Sequence, residues 1–204
     1  NIEAYTYYLR GRQFLHRHSK SYYQLARRMF SKAVELDPLY ARAYAGIADC
    51  DSFLFLHYHV DTAIDGILAT SGRALELDAG LAEAHASQGL ALSLAQRYEE
   101  AMAKFEQAIA IDPNLFEAHY FYARACFAQG KLERAAALFE RAAELKLDDY
   151  QSLILLIGVY RSIGRERDIA GTARRGIDRA QVELTLHPEN PRPAYLGASA
   201  LLEL

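Results

Sequence analysis

The stretch Ala101-Met102-Ala103-Lys104-Phe105-Glu106-Gln107-Ala108-Ile109-Ala110-Ile111-Asp112-Pro113 decides the fold. Its key residues are Ala101, Phe105, Ala108 and Pro113, at successive spacings of 4, 3 and 5, and Ala26, Phe30, Ala33 and Pro38 repeat those spacings. Adding 34 to the first three positions reaches Ala135, Phe139 and Ala142. The segment before each follows the same period, since His85 and His119 stand 34 apart, as do the small residues Gly89 and Ala123. Two registers agreeing on one period point to a repeated structural unit.

Spacings of 3 and 4 place side chains on one face of a helix, so each unit reads as a helical hairpin. Gly89 and Ala123 let one helix approach its neighbour closely, and Ala101 and Ala135 do the same on the second helix. Phe105 and Phe139 fill the space between hairpins. Pro38 and Pro113 each follow an aspartate and mark the end of the second helix, because proline disfavours helical geometry in the residue before it. Gln129-Gly130 and Ile163-Gly164 mark turns inside hairpins, where glycine can take positive φ. Composition agrees: 35 Ala and 28 Leu against 4 Val and 5 Thr favour helix and exclude a sheet-rich fold.

The Ala-x3-Phe-x2-Ala-x4-Pro pattern resembles the tetratricopeptide repeat family, which implies an all-α, right-handed solenoid of helix-turn-helix repeats over essentially the whole chain. In the slot that opens the first helix, often Trp in that family, stand Tyr44, His85, His119 and Leu153, and the chain has no Trp. The register predicts one array over 1–204, with repeats at about 4–40, 41–81, 82–115, 116–149 and 150–190 and a lone helix over 191–204. The second and fifth repeats each carry 7 extra residues, nearly two helical turns, so a lengthened helix keeps its apolar face in place. In the fifth repeat the extra length belongs to a second helix from Glu166 to Leu186. In the second, Phe53 to Val60 is a longer first helix or an ordered loop. The phrases Tyr8 to Arg12, Ala43 to Asp49 and Ala82 to Gly89 also resemble repeat regions appended to bacterial class III adenylate cyclases and winged-helix regulators. That resemblance implies a catalytic or DNA-binding domain outside these residues, and a chain that starts at Asn1 and stops in an apolar stretch reads as a piece of a longer protein.

With a formal charge of -3 and 51% apolar residues, the chain can bury a core but has no global field for nucleic acid or anionic membrane. Its apolar runs are far short of the roughly 20 residues of a membrane span. No Gly-rich phosphate loop or serine nucleophile elbow occurs, so no catalytic residue, cofactor or metal is expected. His57 and His59 lie two apart and share no helical face, His85 and His119 substitute for a core aromatic, and His16 and His18 fall near a turn. Cys50 and Cys126 lie two repeats apart, too far for a bridge in a solenoid, and two buried thiols fit a reducing, cytoplasmic setting.

First helices of stacked hairpins line the concave side of such arrays. The groove-facing residues are Tyr5, Tyr8, Arg12 and Leu15, then Arg42 and Asp49, then Glu83, Ala86 and Leu90. Later repeats add Glu117, Tyr120, Arg124 and Phe127, then Gln151, Ile154 and Arg161. Tyrosine and arginine among apolar positions is the composition that dominates interface energetics, so a protein or peptide partner is expected there. The Lys and Asn pattern that captures acidic chaperone tails is missing from these slots. The six arginines between Arg161 and Arg179 form a local positive excess, read as a solvated face with an anionic partner as the alternative. Tyr195, Leu201, Leu202 and Leu204 make the last helix apolar on more than one face and predict self-association.

Overall fold

The computed structural model describes residues 1–17, 19–60 and 63–204, which form eleven α-helices and no strand. They are α1 (Ile2–Leu15), α2 (Lys20–Leu36), α3 (Ala41–Tyr58), α4 (Ile64–Leu77), α5 (Ala82–Leu94) and α6 (Tyr98–Ile111). Then come α7 (Phe116–Ala128), α8 (Leu132–Leu145), α9 (Gln151–Ser162), α10 (Glu166–Leu186) and α11 (Arg192–Leu201). The chain divides into two compact units, Asn1–Ala118 and His119–Leu204.

In the first unit, α1 packs on α2, α2 on α3, α3 on α4, and α5 on α6, while α3 also packs on α5. The packing follows from the spacing pattern: Ala26, Phe30 and Ala33 are fully buried on α2, and Ala101, Phe105 and Ala108 are fully buried on α6. Phe30 is clamped between two glycines. A Cβ built on Gly11 would fall 2.5 Å from its ring, and one on Gly46 would fall 2.7 Å from the other side. Gly89 admits Phe105 in the same way, at 2.7 Å. The second hairpin departs from this chemistry, with Ile67, Ser71 and Ala74 buried along α4 and the Ser71 hydroxyl donating back to the Ile67 carbonyl at 2.9 Å.

Most of the Phe53 to Val60 stretch is helical: α3 runs 18 residues, and His59 ends it in the left-handed region with φ 48°. Its last turns are packed, since Phe53 and Tyr58 lie against Tyr23 with ring centroids 5.2 and 6.1 Å apart. Asp37, Asp78 and Asp112 follow the second helices, and each Oδ1 accepts from the backbone N–H two residues on. These side-chain turns hand the chain from one hairpin to the next.

In the second unit, α8 packs on α9, α9 on α10, and α11 on both α9 and α10. Ala135, Phe139 and Ala142 are buried along α8, and Tyr120 of α7 meets the Phe139 ring edge-on at 6.1 Å. Gly130 and Gly164 close the hairpin turns with φ of 68° and 74°. α10 covers the 21 residues from Glu166 to Leu186. Arg179 anchors it by donating to the carbonyls of Ala143, Lys146 and Asp149 at 3.1, 3.4 and 2.9 Å, the orphan acceptors after α8. Burial lowers the basicity of that guanidinium, with Arg175 adding to the effect.

His85 and His119 are buried, and the His85 Nε2 lies 2.9 Å from the Ala79 carbonyl. His57 stacks on Phe53 and His16 is exposed, whereas His18 lies outside the described residues. Cys50 and Cys126 are buried free thiols, and burial pushes the Cys50 thiol well up from its ordinary value.

Candidate functional site

The first helices of each unit form adjacent rows, α1 against α3 and α3 against α5 in the first unit, α9 against α11 in the second. On α1, Tyr5 is exposed and stacks with Tyr8, whose ring is buried against Phe30 and Tyr40. The Tyr8 hydroxyl accepts from Arg12 at 3.1 Å, so an i,i+4 pair brings a core ring and a half-buried cation together. Leu15 is buried. Arg42 of α3 is exposed, 4.0 Å from Glu83 of α5. Asp49, half-buried on α3, accepts a hydrogen bond from Ser87 of α5 at 2.7 Å. Ala86 and Leu90 are buried beside it. Arg12, Asp49, Glu83 and Glu117 lie close enough for mutual electrostatic influence. The first row is therefore a mixed polar strip in which three carboxylates meet Arg12 and Arg42.

In the second unit, Tyr120 is buried and its hydroxyl donates to Gln151 Oε1 at 3.4 Å, with Arg124 5.8 Å from its ring centre. Arg192 of α11 donates to the same Gln151 oxygen at 2.8 Å. Burial raises the Tyr120 hydroxyl above its ordinary value, opposed by Arg124. Phe127 is 48% exposed and Ile154 is buried. Arg161 is exposed and pairs with Glu203. Tyr150, beneath this row, is buried with its hydroxyl unpartnered among the described residues.

The arginine run separates into different environments. Arg165 binds Glu140 at 2.8 Å and Asp168 at 2.7 Å, and Arg179 is held by carbonyls as above. Arg167, Arg174 and Arg175 remain exposed on α10. On and after α11, Tyr195, Leu201, Leu202 and Leu204 are all exposed, with Leu202 at 87%.

Sequence reasoning passed over Ser87, Tyr150 and Arg192 as row components. Arg192 had a signal, since it opens a first helix as Gln151 does. Ser87 had none, because its role depends on a contact across 38 residues.

Residues 92–157 match the family described as tetratricopeptide repeat. Those residues carry tetratricopeptide repeats. At 18% identity, TTC0263, a thermophilic TPR protein of Thermus thermophilus, superposes with a TM-score of 0.70 over 98% of this chain and 99% of its own. PilW, a type IV pilus biogenesis factor, does so at 0.67 and 18% identity, over 100% of this chain and 91% of its own. YrrB, a TPR protein with an unusual peptide-binding site, gives 0.52 at 20% identity, over 84% and 81%. Likeness at these identities shows the fold, an all-α TPR solenoid. No curated protein sequence matches the chain. TPR proteins are generally scaffolds for protein interaction, and among the described residues no helix is long and apolar enough to cross a membrane.

Proposed function

We propose that the chain is a non-catalytic interaction scaffold that holds a peptide or protein segment along its first-helix rows. The supporting observation is the recurrent pair Tyr8 with Arg12 and Tyr120 with Arg124. In each, the arginine lies beside a buried tyrosine that limits its freedom, so little side-chain entropy is lost when a partner binds. Tyr5 and Phe127 add exposed aromatic surface to these rows, and Arg42, Asp49 and Arg161 add charge. The YrrB precedent is consistent with peptide capture by this fold. Two buried thiols suit a cytoplasmic setting.

The test is selection from a peptide library, followed by affinity measurement on variants. Arg12→Ala with Arg124→Ala should weaken a selected peptide by tenfold or more, on the scale of about 1.5 to 3 kcal/mol for charged hydrogen bonds. Arg174→Ala with Arg175→Ala, on α10, should leave affinity unchanged. Equal loss in both variants would sink the row assignment.

A second reading, a regulatory or oligomerisation region of a bacterial signalling protein, is favoured by the open apolar side of α11. There Tyr195, Leu201, Leu202 and Leu204 would bind a second copy of this chain.

A further inference from the structure

Asp49 is the ninth residue of the second repeat, the slot that Arg12 and Arg124 fill in the first and fourth. It is the one acidic side chain in that slot. Its Oδ1 is held by the Ser87 hydroxyl at 2.7 Å, while Oδ2 accepts no hydrogen bond among the described residues. Three residues along α3, on the same side of the helix, Ser52 is fully buried and its Oγ also lacks a partner among the described residues. The open lone pairs of this half-buried carboxylate thus lie on the same side of α3 as a buried hydroxyl whose hydrogen-bonding capacity is unmet.

The surrounding charges define what could fill them. α1 contributes Arg12, α5 contributes Glu83 beside Ser87, and the start of α7 contributes Glu117. On α2, Arg27 is committed to Asp51 at 2.5 Å. On α4, Arg73 pairs with Glu76 at 2.9 Å and Asp65 is exposed. Three carboxylates, Asp49, Glu83 and Glu117, therefore face Arg12 and Arg42, the latter 4.0 Å from Glu83, and the remaining excess of acid suits a cation that can donate hydrogen bonds.

We propose that Asp49 gates the first unit's row by its charge, taking a lysine or arginine side chain of the partner segment when ionised and releasing it when protonated. The proposal rests on the groove reading given above and names the chemistry of the partner there. Burial is the largest cause lifting this carboxyl to about 7, with Glu117 and Glu83 adding to it and Ser87 and Arg12 opposing. The charge therefore changes across neutral pH, where an ordinary aspartate is ionised throughout. Loading the cation favours the ionised form, so binding below neutral pH releases one proton from Asp49 to water.

The experiment has two arms. In the first, carbon-detected NMR follows the Asp49 carboxyl between pH about 4 and about 9, and a midpoint near neutrality is expected; a midpoint near 4 overturns the proposal. In the second, blocked peptides alternating lysine with leucine, or glutamate with leucine, are titrated into the chain at pH about 5.5 and about 8.5. The lysine peptide should bind on the order of tenfold more tightly at the higher pH, and the glutamate peptide should show no such gain. Asp49→Asn should bind weakly and without pH dependence. Ser87→Ala keeps the carboxyl but removes a bond that favours its ionised form, so the pH dependence should move upward, which serves also if Asp49→Asn fails to fold. Lysine-peptide binding that ignores both pH and Asp49→Asn overturns the proposal and leaves the groove reading standing. Binding of neither peptide at any pH, with Asp49 titrating near neutrality, overturns the groove reading and the proposal with it.

Discussion

Phe30 shows how single positions set the hairpin geometry. Its ring fills the space that side chains on Gly11 and Gly46 would need, so three helices meet at distances only glycine permits. Gly46→Ala should destabilise the chain by about 1 to 3 kcal/mol through overpacking, and Phe30→Ala by about 3 to 5 kcal/mol through a cavity. Urea unfolding measures both, and a neutral Gly46→Ala would show that the ring has room to move. Asp49 makes a different prediction at the same scale. The folded carboxyl keeps its proton to about 7, whereas an unfolded aspartate loses it near 3.9, so the folded state binds more protons in between. Stability contributed by this group is therefore present at acid pH and lost as pH rises through that window. Asp49→Asn, with no charge to bury, should gain stability relative to the parent at pH about 8 compared with pH about 4. The gain should be on the order of 1 to 3 kcal/mol. Unfolding at the two pH values checks it, and an equal difference at both would contradict the assignment.

At the scale of elements, the hairpins were legible because each repeat records its own packing within a short window. The bounds of α10 follow from the same logic: seven extra residues without an internal proline extend a helix and preserve its apolar face. Its anchoring was not legible. Arg179 belongs to an arginine run that reads as a solvated face, and only the geometry shows it buried against three carbonyls after α8. Arg179→Met keeps the aliphatic stem and removes the donors, so it should cost about 2 to 3 kcal/mol and expose the amides around Asp149 and Tyr150 to faster hydrogen exchange. Arg161 was likewise legible as a surface cation but not as the partner of Glu203, 42 residues away. The last helix was legible as apolar, and Leu202→Glu with Tyr195→Glu should reduce self-association in light scattering if a second copy covers that side.

At the scale of the whole molecule, periodicity carried the architecture and left the proposed row only partly determined. A helical slot says which way a residue points, yet the rings of Tyr8 and Tyr120 sink into the core while Arg12 and Arg124 stay beside the row. The meeting of Asp49 with Ser87 depends on how neighbouring repeats are set against each other, which no single repeat encodes. The central claim, that first-helix rows hold the partner, is tested most directly by mapping backbone amide shifts of the labelled chain on adding a library-selected peptide. Shifts should concentrate on α1, α3 and α5 or on α7, α9 and α11, around Arg12, Asp49 and Arg124. Shifts confined to α10 around Arg174 and Arg175, or to the other second helices, would contradict it.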